Sequence, residues 1–91
     1  MDTSGDAKVI VCGNDWCGDT RRTLAQLEDL HVPFSYVDID LDAEAEAWVA
    51  KQNGGKLKRP TVDVDGVILS VPSEQQLTDA LRDRGLLVDS A

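Results

Sequence analysis

Histidine is nearly missing from this chain of 91 residues, with His31 the only one, and cysteine is limited to Cys12 and Cys17. Two thiols with no second pair nearby do not complete a four-ligand zinc set, so no metal site is expected. Basic residues are scarce too. Nine Lys and Arg stand against seventeen Asp and Glu, a net charge of −8. A nucleic-acid partner normally needs a basic face for its phosphates, and none is expected here. No apolar run approaches the roughly 18 residues of a membrane span, so no membrane contact is expected either. Residues 1–7 carry two acids and no apolar stretch. They read as a short flexible tail and not as an export signal. The expected compartment is therefore the reducing cytoplasm. There, paired cysteines more often mean chemistry, metal or packing than a structural disulfide.

Apolar residues make up 42% of the chain, enough for residues 8–91 to form one small domain without staples. No repeat or linker divides it. Lys8–Cys12, KVIVC, is a continuous β-branched run that suits a strand buried on both faces. Gly13, Asn14 and Asp15 break it. From Cys17 to Leu30 the spacing turns helical, with Thr20, Leu24, Leu27 and Leu30 on one face, and Pro33 lies beyond its end. Phe34–Ile39 reads as a second strand. Leu41 to Gln52 reads as a second helix, with Leu41, Ala45, Trp48 and Val49 as its stripe and acids in its first turns. Asn53-Gly54-Gly55 stops it. Thr61–Val64 and Val67–Leu69 form a hairpin around Asp65-Gly66, the preferred filling of a type I′ turn. Ser73 and Gln76 make a capping box for a last helix striped by Leu77, Ala80 and Leu81 and stopped at Gly85. The order β-α-β-α-β-β-α implies an α/β domain with one four-stranded mixed sheet and helices on both faces.

Cys17 falls where the first loop meets the first helix. Unpaired amides and the positive helix end favour a thiolate there, so its pKa is expected to fall below the usual value. The Thr20 hydroxyl can donate to the sulfur, and Arg21 and Arg22 add positive charge. Asp19 opposes them. Cys12 has two readings: a small apolar core residue, or a resolving thiol for Cys17, which requires Cα atoms within about 7 Å. His31 reads as a surface residue and Trp48 as core. Trp16 is expected beside the active-site loop. The run Asp38, Asp40, Asp42, Glu44 and Glu46 reads as a solvated helix start.

The element order, with Trp16-Cys17-Gly18 at the first helix and Arg59-Pro60-Thr61 before the hairpin, resembles the thioredoxin fold in its glutaredoxin form. Asn53-Gly54-Gly55, Pro60-Thr61-Val62 and Pro72-Ser73 are similar to stretches of the mycoredoxins within that group. The resemblance covers about Lys8 to Leu87. It implies that Cys17 is the nucleophile, supported by Trp16, Gly18, Asp19 and Thr20. It implies a cis bond at Pro60, opposite that thiol. Arg59, through its backbone, and Pro60, Val71 and Ser73 would bind substrate, with Ser73 placing the last helix's N-terminus at a substrate carboxylate. Asn14 stands where many glutaredoxins carry a substrate-binding lysine. The chain departs from the family at Thr20, which replaces the second cysteine, and at Lys58-Arg59 before the proline.

The implied activity is that of a monothiol oxidoreductase, reducing mixed disulfides between proteins and a small anionic thiol, mycothiol or glutathione. That thiol is the cosubstrate, no tightly bound cofactor is implied, and a monomer is expected. Two other functions fit the same residues: a non-catalytic binding or redox-sensing module, and an iron–sulfur carrier. Arg21, Arg22, Lys56, Lys58 and Arg59 are five of the nine basic residues, and all fall in segments expected to border the groove. An acidic protein is thus expected to present a locally basic mouth.

Overall fold

The computed structural model describes residues 7–87. The tail expected over 1–7, apart from Ala7, lies outside the described residues, as do the last four positions of the expected domain. Seven elements follow in the expected order. They are β1 (Val9–Gly13), α1 (Gly18–Asp29), β2 (Ser35–Asp38), α2 (Ala43–Gln52), β3 (Thr61–Val64), β4 (Val67–Ser70) and α3 (Glu74–Asp83). The sheet runs β2-β1-β3-β4, with β1 parallel to β2 and antiparallel to β3, and β4 antiparallel to β3. No helix among the described residues is long and apolar enough to cross a membrane.

Central position explains why β1 is apolar throughout. Successive side chains of a strand alternate between faces. Val9 and Val11 join Val62 and Val64 in a core with Leu27 of α1 and Leu77, Ala80 and Leu81 of α3. Ile10 and Cys12 point to the other face, where Cys12 packs with Ile39 and Val49 beside Ala45 and Trp48. The larger core is thus covered by two helices and the smaller by α2 alone, which leaves a cavity of about 260 Å³ lined by Ile10, Cys12, Val37, Ala45, Trp48 and Asp63.

The helix ends follow their local chemistry. Cys17 is the N-cap of α1, and Leu30 its C-cap. His31 then takes a left-handed φ of 58°, and Val32 N–H donates to Leu27 O across the end, so the helix stops before Pro33. The second helix starts later than its periodicity predicts. Asp42 is its N-cap and accepts from Ala45 N–H at 3.0 Å, which leaves Leu41 outside the helix and 86% exposed. Leu41 therefore does not belong to the apolar stripe: the carboxylate cap outranked the hydrophobic spacing. The capping box of Ser73 and Gln76 is present in both directions, at 3.1 and 2.9 Å. Asp65 and Gly66 both have positive φ, 48° and 98°, as their hairpin turn requires.

Two positions are under tension. A side chain at Gly13 would meet Thr20, with Cγ2 only 2.8 Å from the added Cβ, so this strand end has room for glycine alone. Val71 holds φ at 46°, a conformation in which a β-branched residue is strained, while its N–H donates to Pro60 O at 2.8 Å.

Both yield stability predictions, read as urea midpoints at unchanged m-value. Gly13→Ala destabilises by about 1–3 kcal/mol through overpacking, and adding Thr20→Ala recovers part of the loss. Val71→Asn stabilises by about 1 kcal/mol, because Asn tolerates the left-handed region.

Candidate active site

The thiol of Cys17 sits at the junction of three segments: the 14–17 loop, the first turn of α1, and the backbone at Arg59. The Arg59–Pro60 peptide is cis. Cys17 N–H donates to Asn14 O at 3.2 Å and closes the loop as a turn, while Cys17 O accepts from Arg21 N–H and starts the helix. As a thiol, Cys17 donates its S–H to Arg59 O at 3.6 Å. As a thiolate it faces different partners. Partial burial raises its pKa, but the amide and hydroxyl of Thr20 and the amide of Asp19 favour the anion, and the outcome is a pKa below the ordinary thiol value. The Asp19 charge pushes upward and is the smallest of these influences. Donors that touch the sulfur outweigh a carboxylate screened by solvent.

Thr20 can do this because it is fixed. It is fully buried against Gly13, and its Oγ1 accepts from Asn14 N–H at 3.5 Å. A hydroxyl has one proton and two lone pairs. Accepting from the backbone leaves its proton for the sulfur.

Asn14 requires a correction. It does not line the groove. Its side chain is fully buried and its Nδ2 donates to Asp38 Oδ1 at 3.0 Å, so it ties the loop to the end of β2 and cannot reach a substrate. The role carried over from a lysine fails because a short amide here is long enough only for the protein's own carboxylate.

Of its two readings, Cys12 takes the first, the small core residue. Both cysteines are free, and Cys12 is buried in the core on the α2 face of the sheet, whereas Cys17 caps a helix on the opposite face. Burial, then Asp63 and Asp42, push its pKa up to about 11. A neutral thiol walled off by its own sheet is core and not a resolving group.

Ser73 also serves its own helix. Its hydroxyl accepts from Gln76 N–H and its amide donates to Gln76 Oε1, so both amides are spent on the cap and the hydroxyl proton is what Ser73 has left for a substrate carboxylate. Glu74, in the same first turn, further disfavours an anion there. Val71 is exposed beside this turn, and Gly18 is exposed with open space around it. Arg22 is engaged with Asp19 at 3.5 Å and Pro72 O at 3.2 Å, joining α1 to the loop before α3. Arg21, Lys56 and Lys58 are exposed, and His31 lies at the far end of α1.

The acidic run holds the structure that its sequence concealed. Asp38 Oδ1 accepts from both Asn14 and the amide of Asp40, the latter at 2.9 Å. Asp40 Oδ2 accepts from Trp16 Nε1 at 3.0 Å, and Asp15 accepts from the Tyr36 hydroxyl at 2.6 Å. Burial first, and then these acids, raise the Tyr36 pKa. Trp16 is 65% exposed beside the thiol, and the guanidinium carbon of Arg59 lies 5.3 Å from its ring centroid. The Asp-x-Asp spacing directly after a strand was the available signal, since such a pair closes a side-chain turn.

A partly accessible, acidified thiol at a helix N-cap, opposite a cis-proline, on a four-stranded β-α-β-α-β-β-α sheet, is the pattern of one redox family. The sequence profile of that family, glutaredoxin, matches residues 9–69. The chain belongs to the glutaredoxin family. Solved glutaredoxins agree in fold. One from Archaeoglobus fulgidus is 26% identical, covers 86% of this chain and 89% of its own, and superposes with a TM-score of 0.71. One from Brucella melitensis is 23% identical over 87% of this chain and 82% of its own, with a TM-score of 0.61. A buckwheat glutaredoxin, solved as a glutathione complex, is 16% identical over 91% and 84%, with a TM-score of 0.70. No curated protein sequence is significantly similar to this chain. Membership brings a thiol–disulfide oxidoreductase type of activity.

The site predicts opposite shifts from two substitutions. Thr20→Val raises the Cys17 pKa and slows iodoacetamide alkylation at neutral pH, whereas Thr20→Ser preserves both. Asp19→Asn lowers the pKa. Mass-resolved alkylation against pH reads all three, and in the native protein at pH 8 it labels Cys17 and leaves Cys12 unlabelled.

Proposed function

We propose that this glutaredoxin is a monothiol oxidoreductase that reduces mixed disulfides between proteins and a low-molecular-weight thiol, glutathione or mycothiol. The observation that carries the proposal is the isolation of Cys17. It is acidified and accessible, Thr20 stands at the position of a second active-site cysteine, and Cys12 is buried on the opposite face of the sheet.

One thiolate suffices for the cycle. Cys17 Sγ attacks the small-thiol sulfur of the mixed disulfide. A new S–S bond forms to Cys17 as the old one breaks, and the client thiolate leaves and takes up a proton. A second small thiol, as its thiolate, then attacks the sulfur held on Cys17. The products are the symmetrical small disulfide and regenerated Cys17 thiolate. Net, one free small thiol is consumed: its sulfur and the one brought by the mixed disulfide end as the symmetrical disulfide, the client is released as a thiol, and the protein ends unchanged. No bound cofactor enters.

Thr20 has two effects in this scheme. Its hydroxyl stabilises Cys17 as leaving group in the second step, because a lower thiol pKa makes a better leaving group. It also cannot form an internal disulfide that would divert the intermediate. The groove between Trp16 and the Arg59–Pro60 backbone is the expected seat of the small thiol. The glutathione complex of the buckwheat relative supports glutathione, and the likeness to mycoredoxins supports mycothiol.

The test is turnover of a protein mixed disulfide with each small thiol in parallel. Wild type turns over at least one, Cys17→Ser falls to the uncatalysed background, and Cys12→Ala keeps wild-type turnover. Full activity in Cys17→Ser, or none in wild type with either thiol, removes the proposal.

A further inference from the structure

The guanidinium of Arg59 is held next to the reactive thiol but is poorly used. Its side chain is only 22% exposed, and its own carbonyl lies 3.6 Å from Cys17 Sγ. Among the described residues its buried Nε has no hydrogen-bond partner, and the guanidinium makes one hydrogen bond, a long 3.4 Å contact from Nη1 to Leu57 O. Its Nη2 faces Asp40 Oδ1 at 4.0 Å, an ion pair too wide for a hydrogen bond. A half-buried group with five donors ordinarily satisfies more of them.

Asp40 cannot close that gap without giving up other bonds. Its second oxygen is held by Trp16 Nε1 at 3.0 Å, and its backbone amide is bound to Asp38. Trp16 in turn supports the guanidinium face at 5.3 Å. The arrangement orients a cation and neutralises it at rest, yet leaves its donors open.

We propose that Arg59 is the specificity-determining residue of this site, selecting disulfides whose small-thiol half carries a carboxylate. The incoming carboxylate takes the Nη2 donors that Asp40 approaches but does not bind, and Asp40 remains on Trp16. An arginine presents planar donors matched to a carboxylate, and Trp16 fixes its plane in advance. The assignment deepens the proposed function by naming the substrate class. Of its two candidate thiols, glutathione carries carboxylates and mycothiol carries none.

The electrostatic part is read without turnover, by alkylating Cys17 with anionic iodoacetate and with neutral iodoacetamide at low ionic strength. Each reagent forms a thioether and releases iodide, so their rate ratio cancels any change in thiolate fraction. Arg59→Gln is expected to lower the iodoacetate-to-iodoacetamide ratio about three- to ten-fold, and Asp40→Asn to raise it. Salt shrinks both effects. An unchanged ratio in Arg59→Gln overturns the assignment. Because Asp40→Asn moves the ratio the other way, loss of folding cannot imitate the pair of results. The specificity part is read by turnover of one peptide linked by disulfide to 3-mercaptopropionate or to 2-mercaptoethanol. Wild type prefers the first, and Arg59→Gln abolishes the preference. Turnover of both without a preference in wild type overturns the assignment while leaving the oxidoreductase intact. Turnover of neither, with the alkylation ratio still shifted, removes the oxidoreductase and leaves Arg59 as an anion-selecting group at the thiol.

Discussion

The hydroxyl of Thr20 is the point on which the site depends. It is wedged under Gly13, accepts from the amide of Asn14 and supplies a proton to the Cys17 sulfur. Three requirements meet there. The strand must end in glycine, the loop must turn back at Asn14, and the helix must begin one residue after the thiol. A cysteine in place of Thr20 would offer a weaker donor and a second electron pair for disulfide chemistry. The substitution that removes dithiol exchange is therefore the same one that strengthens the remaining thiolate. A site with one cysteine is in this respect a differently tuned site, not a damaged one.

Acidity is the second constraint. An excess of carboxylates around a thiol should raise its pKa and repel anions, yet the Cys17 pKa is lowered. The explanation lies in what the carboxylates touch. Asp38 binds Asn14 and the Asp40 amide, Asp40 binds Trp16, Asp15 binds Tyr36, and Asp19 pairs with Arg22. Most of them tie the 14–17 loop to β2 and the segment after it while solvent screens their charges, whereas the donors acting on the sulfur are in contact with it. Distance and dielectric, not the count of charges, decide the outcome.

Features set by local rules were readable from sequence. The β-branched run of β1, the Asp65-Gly66 turn and the Ser73–Gln76 box each depend on a few neighbouring residues, and each lies where the pattern put it. The position of Cys17 followed from the same logic, since a glycine-broken strand and a helical stripe bracket it. Tertiary geometry hid the rest. Asn14 looks like a surface loop residue until β2 brings Asp38 against it, 24 positions away. Leu41 continues a helical stripe that the cap at Asp42 cuts off. Cys12 faces away from Cys17 because a period of two sends it to the α2 side, and that separation becomes decisive only once α1 is known to pack on the other face.

The two ends of the groove divide their work accordingly. A helix N-terminus, such as the first turn of α3, offers free amides to an anion. Here the Ser73 hydroxyl and amide and the Gln76 amide and side chain are closed on one another, and Glu74 adds a negative charge. Capping takes two donors of this helix end, the Ser73 and Gln76 amides, out of reach of an anion. Across the groove, the cis Arg59–Pro60 segment turns a carbonyl toward the thiol and leaves a half-buried guanidinium with donors unused. Stability chemistry and recognition chemistry compete for the same kinds of donor. In this chain the competition is resolved in favour of stability at Ser73, which leaves Arg59 as the cation best placed to meet a carboxylate beside the sulfur.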